Sequence, residues 1–285
     1  MTNILVTGGN GQLANSIKDL EFNHSDLNFI YTDFLELDIC DLNQVKKFFK
    51  RQSKTIHYCI NCAAYTAVDK AETETKNAFK INVEGAKNLA LACLEHNVNL
   101  IHISTDFVFD GKSDKPYVET DKANPVSVYG ETKLKGELEI KKILENFFII
   151  RTSWLYSEHG NNFMKTMLRL AKDKDVLNIV GDQIGTPTYA KDLAEVIYEI
   201  IISKNTEFGV YHYSNEGVAS WYDFAKEIFE IKQIRIKVNA INTEDYPTPA
   251  KRPKFSVLDK SKVKALLSFE IPHWRDSLKK AILNY

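Results

Sequence analysis

Several features that mark specialised proteins are scarce or missing in this sequence. Its 285 residues include 4 cysteines, 3 methionines and 3 tryptophans, and the formal net charge is -1. A chain so close to neutrality lacks the basic surface that attracts nucleic acids and anionic membranes. We therefore expect no partner of either kind. The hydrophobic content of 44% and the charged content of 26% are ordinary for a globular protein, and the length predicts about two domains.

Long apolar runs and targeting segments are missing as well. The longest apolar stretch, 196–202, is interrupted by Tyr198 and Glu199 and is too short to span a membrane. The N-terminus enters an apolar strand at once, without the basic segment of a signal peptide, so we expect a cytoplasmic protein. Cys59 and Cys62 are spaced like a metal or redox pair, but no second pair accompanies them. We interpret the four cysteines as reduced packing residues that hold no metal.

The first half of the chain alternates short apolar strands with amphipathic helices. Apolar strands between such helices predict a parallel sheet covered on both faces, and right-handed crossovers then give a doubly wound, Rossmann-like α/β fold. We expect residues 1–152 to form a dinucleotide-binding domain. Strands are predicted at 4–7, 29–32, 58–63, 100–104 and 147–152, and helices at 12–20, 42–52, 77–95 and 128–144. On the helix at 77–95, the predicted buried face carries Phe79, Val83, Ala86, Ala90 and Cys93.

The alternation loosens in the second half. Residues 153–285 are predicted to form a smaller, mixed α/β substrate domain, with segments within 176–206 joining the main sheet. Asp192 is the predicted N-cap of one helix. The other predicted elements are helices at 162–172, 221–231 and 274–283 and a strand at 177–180.

A glycine-rich turn follows the first strand and opens the first helix. Glycines allow a tight turn and a close approach of the backbone to a pyrophosphate, and the helix N-terminus supplies free amides to the phosphates. Asp33 ends the second strand about twenty residues later, where a carboxylate can bond an adenosine ribose. Since no Arg or Lys occurs in 31–44, NADH is slightly favoured over NADPH. The predicted cofactor contacts of this region are Gly8, Asn10, Gly11, Gln12, Leu13, Asp33, Asp38 and Ile39.

Tyr129 and Lys133 lie four residues apart in Val-Tyr-Gly-Glu-Thr-Lys, and therefore on one face of a helix. A nearby ammonium favours the phenolate, so we expect Lys133 to lower the pKa of Tyr129 and make it a usable acid. A strand that ends in Thr105 precedes the pair. Tyr222 and Lys226 have the same spacing but follow no such strand, and we interpret them as part of a surface helix.

With these residues, the chain resembles the extended short-chain dehydrogenase/reductase family. The resemblance implies that Tyr129 is the proton donor, that Lys133 tunes it and holds the nicotinamide ribose, and that Thr105 bonds the reacting oxygen. It also places Ala63, Ala64 and Tyr65 beside the cofactor, places Thr66, Val68, Asp106 and Trp154 beside the sugar, and supports Arg252 as a partner of the substrate pyrophosphate. Besides the glycine turn, the resemblance rests on 61–72, 104–111, 125–137, 151–156, 185–188 and 250–253.

The activity implied by the resemblance is reduction of the 4-keto group of dTDP-4-dehydro-L-rhamnose to dTDP-L-rhamnose by NADH or NADPH. Some members bind magnesium at a dimer interface, but one of the acidic ligands is Ser16 here, so we expect no metal and leave a homodimer open. A dehydratase is disfavoured because Phe107 follows Asp106 where a second carboxylate is needed, and an epimerase usually carries a larger substrate domain. Two alternatives stay open: a reductase of another nucleotide-linked 4-keto-6-deoxy sugar, and a non-catalytic, NAD(P)-binding regulatory subunit.

Overall fold

The computed structural model describes residues 1–52 and 55–285. Its centre is a six-stranded sheet in which every neighbouring pair is parallel, with the strand order β10-β5-β4-β3-β1-β2. The strands are β1 Thr2–Thr7, β2 Leu27–Thr32, β3 Tyr58–Asn61, β4 Asn99–Thr105, β5 Phe147–Thr152, β6 Leu155–Tyr156, β7 Val176–Val180, β8 Ile184–Gly185, β9 Thr188–Tyr189, β10 Gly209–His212, β11 Ala219–Ser220 and β12 Lys237–Ile241.

Helices cover both faces of this sheet. One face carries α1, α8 and α10, and the other carries α2, α5 and α6. The helices are α1 Gln12–Leu20, α2 Leu42–Arg51, α3 Val68–Ala71, α4 Thr75–Phe79, α5 Ala86–His96, α6 Val128–Ile143, α7 Phe163–Leu170, α8 Ala190–Ile202, α9 Trp221–Ile231, α10 Ser261–Lys264 and α11 Trp274–Leu283. The predicted doubly wound α/β fold is therefore confirmed.

The pleat of the strands explains why their sequences are apolar throughout. Successive residues of a strand point to opposite faces: Ile4 and Val6 belong to the core under α1 and α8, while Leu5 belongs to the core under α2, α5 and α6. All three side chains are fully buried. A strand that is buried on both faces needs an apolar residue at every position.

The helix predicted at 77–95 is interrupted. Helix α4 passes into a wider, π-type segment at Lys80–Gly85 before α5 begins. Val83, Ala86, Ala90 and Cys93 are buried as predicted, but Phe79 is 40% exposed. The prediction for Phe79 is wrong because the widened turn changes the direction of the side chains that precede it.

The second half of the chain returns to the first at two places. Helix α8 packs on α1, where the Tyr198 hydroxyl donates to the Ile17 carbonyl at 2.9 Å. Strand β10 then extends the sheet beside β5, a few residues beyond the predicted 176–206 segment. The prediction that Asp192 is an N-cap is wrong: α8 begins at Ala190, and the Asp192 carboxylate accepts hydrogen bonds from Asn215 and Ser277 instead. The division into two domains stays a prediction.

A separate apolar core joins α7, α9 and α11 with the β7–β12 pair. Helices α9 and α11 have the bounds that the sequence predicted. Within the described residues, no helix is long and apolar enough to cross a membrane. The four cysteines are all free thiols.

A buried ion pair fixes α6 against the sheet. Arg151 on β5 donates to Glu137 on α6 through Nε at 2.9 Å and Nη2 at 2.7 Å, and the Ser104 hydroxyl of β4 donates to the same carboxylate at 2.5 Å. Glu137 is 0% exposed and Arg151 is 2% exposed. One helix is thereby bonded to the carboxyl ends of two strands.

We predict that Arg151→Leu destabilises the protein by about 3–5 kcal/mol, because removal of one partner leaves a buried charge without compensation. Urea unfolding followed by circular dichroism measures this loss. Arg235→Leu is the control, since Arg235 is exposed. Equal stability of the two variants would contradict the importance of the ion pair.

Candidate functional site

The glycine turn has the geometry of an anion cradle. Gly8 adopts φ +67°, and a Cβ there would lie 2.7 Å from the Ala63 nitrogen, so only glycine fits. Gly11 is the N-cap of α1 and offers no side-chain cap, and the first turn of α1 contains no acidic residue. The free amides at this helix end therefore suit a phosphate group. The residues present fit the pyrophosphate of a dinucleotide.

A cavity of about 440 Å³ lies over this turn. Asp33 lies in its wall, where Oδ2 accepts from the Asn10 N–H at 2.9 Å and Oδ1 from the Phe34 N–H at 2.7 Å. Lys80 of the π-type segment lies in the same wall. The predicted cofactor residues that line the cavity are Gly8, Asn10, Gly11, Asp33, Asp38, Ile39, Ala63 and Ala64.

Lys80 was missed by the sequence analysis. The segment 31–44, which is close to Asp33 in sequence, contains no basic residue. Lys80 lies much later in the chain and reaches the same cavity from a helical segment. Both a carboxylate and an ammonium therefore face the predicted adenosine site. The preference between NADH and NADPH stays open.

A second cavity, of about 520 Å³, adjoins the first. It brings the predicted catalytic residues together with the predicted sugar contacts, although these residues are distributed over most of the chain. The predicted residues in its wall are Gly11, Gln12, Leu13, Ala64, Thr66, Val68, Thr105, Asp106, Tyr129, Lys133, Trp154 and Arg252. Tyr65, a predicted cofactor contact, is not in the wall of either cavity; its N–H donates to Asn82 at 2.8 Å and its hydroxyl donates to Glu74 at 3.0 Å.

Burial dominates the acidity of Tyr129. It raises the pKa of the phenol to about 12, the hydrogen bond with Thr105 acts in the opposite direction, and the Asp106 charge adds to the rise. The prediction that Lys133 lowers this pKa is wrong: its Nζ donates to the Ile103 carbonyl at 2.7 Å and contacts His102 at 3.3 Å. Tyr129 is therefore a protonated donor at neutral pH.

Asp106 is a buried carboxyl group at the end of β4. Burial raises its pKa to about 6, against the hydrogen bonds that it accepts. Its Oδ1 accepts from the Thr105 hydroxyl at 3.1 Å. The Ser256 hydroxyl also acts on this carboxylate and lowers its pKa, but no group within the described residues has hydrogen-bond geometry to Oδ2. Because a buried oxygen without a partner is costly, Asp106 is suited to accept a hydrogen bond from a ligand hydroxyl.

Trp154 is held in a backbone conformation that non-glycine residues rarely adopt. Its φ is +48°, and its ring is stacked on Trp221 with a centroid distance of 3.6 Å and an interplanar angle of 9°. The other side of the indole faces Gly185, where a Cβ would approach to 2.7 Å. Trp221 donates through Nε1 to Gln183 at 3.2 Å. Such strain persists only where surrounding contacts fix it, and it is concentrated at functional sites.

Trp221 also separates two cavities. It is the first residue of the helix predicted at 221–231, which is confirmed, and its ring also lines both the second cavity and a third cavity of about 610 Å³. Helical periodicity identifies a buried face but does not show that the first residue of the helix borders a cavity.

Arg252 reaches the second and third cavities with its charge already paired. Its Nη1 and Nη2 donate to the two carboxylate oxygens of Asp69 at 3.1 Å and 2.7 Å, and Nη1 also donates to the Ala250 carbonyl at 3.0 Å. The sequence does not indicate that Asp69 is the partner of Arg252, because the two residues are far apart in the chain. A pyrophosphate at this position would share Arg252 with that carboxylate.

We predict that the stacked tryptophans give an exciton couplet in the far-ultraviolet circular dichroism spectrum, because two nearly parallel indoles are in contact. Trp221→Phe should remove most of this signal. Trp274→Phe is the matched control, since Trp274 is fully buried and its ring pairs with Phe224 and His273. A wild-type spectrum without the couplet would exclude this stacking in solution.

Comparison with known proteins identifies the family of this chain. A family model described as RmlD substrate binding domain matches residues 1–285. The dTDP-4-dehydrorhamnose reductase of Aggregatibacter actinomycetemcomitans is 42% identical over 290 residues, with 98% of each chain covered. A reductase of that name from Clostridium acetobutylicum has a solved structure that is 45% identical, with a TM-score of 0.94 and 99% of each chain covered. Another from Bacillus anthracis, solved in complex with NADP, is 37% identical, with a TM-score of 0.95 and 100% of each chain covered.

Proposed function

This chain belongs to the dTDP-4-dehydrorhamnose reductase family, and from that premise we propose that it reduces the 4-keto group of dTDP-4-dehydro-L-rhamnose to dTDP-L-rhamnose. NADH or NADPH is the reductant. One observation carries the proposal: the glycine turn, the Thr105 hydroxyl and the Tyr129 phenol border a continuous pair of cavities. A reactive carbonyl in the second cavity has a dinucleotide cradle on one side and a phenol donor on the other.

Tyr129 performs the proton transfer in this proposal. Reduced nicotinamide, when bound, supplies the hydride. With a pKa of about 12, the Tyr129 phenol keeps its proton until an alkoxide develops on the sugar. The O–H bond then breaks, and the proton passes to the alkoxide oxygen, which is more basic than the phenolate.

Thr105 stabilises the same oxygen. It is 5% exposed and lies with Tyr129 in the wall of the second cavity, so a carbonyl oxygen bonded to the phenol is within its reach once the hydroxyl turns away from Asp106, to which it donates at 3.1 Å. A hydroxyl held in place here strengthens its hydrogen bond as negative charge grows in the transition state. Asp106, Trp154 and the residues near Thr66 then orient the sugar ring.

We predict that Tyr129→Phe lowers kcat by at least about a hundredfold, because the proton donor is removed, while the affinity for NADPH is retained. The assay mixes protein, cofactor and dTDP-4-dehydro-L-rhamnose and follows the loss of nicotinamide absorbance. Tyr222→Phe is the matched control, since Tyr222 has the same spacing to a lysine but lies half-buried on α9, outside the wall of the second cavity.

The outcomes of this assay separate the alternatives. A Tyr129→Phe variant as active as the wild type would refute the role of Tyr129 as acid. Turnover of other nucleotide-linked 4-keto-6-deoxy sugars, with none of the rhamnose precursor, would favour the related reductase. Tight NADPH binding without turnover of any such sugar would favour a regulatory subunit.

We further predict that Lys80→Ala weakens NADPH binding about threefold more than NADH binding, since an exposed ion pair to a 2′-phosphate contributes about 0.5–1 kcal/mol. Cofactor titrations followed by nicotinamide fluorescence measure both affinities. Lys76→Ala, one turn earlier and outside the cavity wall, is the control. Equal effects on the two cofactors would show that Lys80 does not select between them.

A further inference from the structure

His102 is a buried titratable residue that the proposed reaction does not use. It lies on β4, is 1% exposed, and contacts a polar side chain at each ring nitrogen. Thr7, Asn61 and His102 are register neighbours across β1, β3 and β4. They face the same side of the sheet as Leu5, Cys59 and Leu100, which is the side that α6 covers. The row of polar side chains therefore leads to Lys133.

The orientation of the Asn61 amide follows from its partners. Its Oδ1 lies 3.2 Å from the Ala63 N–H and 2.8 Å from the Thr7 hydroxyl. A backbone N–H can only donate, so this end of the amide must be the oxygen. The Asn61 NH₂ group consequently faces His102 Nδ1 at 3.0 Å and donates to it.

This donation fixes the tautomer of His102. A neutral imidazole carries one proton, and an Nδ1 that accepts a hydrogen bond leaves that proton on Nε2. Burial and the neighbouring Lys133 lower the pKa of His102 well below its usual value, so the ring is neutral at ordinary pH. The Nε2–H therefore points at Lys133 Nζ, 3.3 Å away.

An N–H directed at Nζ distinguishes between the two forms of lysine. It donates to the lone pair of the uncharged amine but repels the ammonium, which has no acceptor. We propose that His102 is a positioning residue whose Nε2–H favours the uncharged amine of Lys133. In either form, Lys133 can still donate to the Ile103 carbonyl at 2.7 Å, so the amine stays in place while its proton affinity changes.

Other groups around Lys133 also raise or lower its pKa. Burial lowers its pKa to about 8, whereas Glu137 on its own helix and Cys62 after β3 raise it. Tyr129 lies one turn earlier on α6, and Arg151 neutralises Glu137 from β5. His102 is the group on β4 that faces the amine. A lysine that titrates near neutrality can exchange protons with solvent. It can then replace the proton that Tyr129 gives up, and this second step rests on the proposed function.

The tautomer can be read directly in the wild-type protein. Nitrogen chemical shifts of isotope-labelled histidine should show His102 neutral, with its proton on Nε2, throughout the range in which the protein is folded. A proton on Nδ1, or a protonated ring at neutral pH, would overturn the proposal. This measurement needs no variant that might fail to fold.

Variants of His102 test the effect on Lys133. Labelled lysine is titrated by NMR, and the Lys133 signal is identified by its loss in Lys133→Arg. His102→Gln places an amide oxygen near Nζ, which accepts from the ammonium, so we expect the pKa of Lys133 to rise by about one unit. His102→Asn keeps the bond to Asn61 but does not reach Nζ, and we expect a smaller rise.

His212→Gln is the matched control. His212 is also fully buried, but it contacts the Tyr117 carbonyl at 3.0 Å and Arg151 at 3.4 Å. It should lower the melting temperature without moving the Lys133 titration. A folded His102→Gln protein in which Lys133 titrates as in the wild type would sink the proposal.

The pH profile of kcat/KM separates this inference from the proposed function. A raised pKa keeps Lys133 charged to higher pH, so the limb that follows Lys133 should move upward in the order wild type, His102→Asn, His102→Gln. If the wild type turns over no sugar while its His102 tautomer and Lys133 titration are as expected, the proposed function fails and the role of His102 stands.

Discussion

The position of α6 against the sheet determines the whole site, and the ion pair between Glu137 and Arg151 secures it. The pair bonds the helix to the carboxyl ends of β4 and β5. Lys133 and Tyr129 are one and two turns earlier than Glu137 on the same helix. Since a parallel sheet presents its strand ends at one edge, this contact also places Thr105 and Asp106 beside the phenol. A buried ion pair is by itself weak evidence for a stable fold. Here its main effect is to fix the position of α6 on the sheet.

Local patterns in the sequence predicted most of the fold, and most of the residues that they singled out as contacts line the two cavities. The sheet, the glycine turn and the bounds of α9 and α11 follow from apolar periodicity and turn residues, which are local properties. Phe79 and Asp192 were predicted wrongly because tertiary contacts overrode such patterns. A wider turn redirects the first, and Asn215 and Ser277 bind the second inside the fold. Lys80 and Asp69 were missed for a related reason: Lys80 reaches the first cavity from the π-type segment, and Asp69 pairs with Arg252, which is distant in sequence.

The electrostatics of the site could not be read from spacing. A tyrosine and a lysine four positions apart share a helix face, but the pKa of Tyr129 depends on burial, and the Lys133 Nζ is directed to Ile103 and His102. Burial favours the neutral form of both groups, so it raises the pKa of Tyr129 and lowers the pKa of Lys133. Burial therefore works against the phenolate beside an ammonium that the four-residue spacing predicts.

The position of β10 in the central sheet limits where the chain can be cut into fragments. Because β10 covers the outer edge of β5 and α8 covers α1, a fragment ending near residue 152 would carry the glycine turn and Tyr129 but expose an open strand edge and an apolar helix face. Unpaired edges recruit other strands and promote aggregation. Crystallisation or binding studies on an isolated nucleotide-binding half would therefore need the returning segment supplied, for instance by circular permutation.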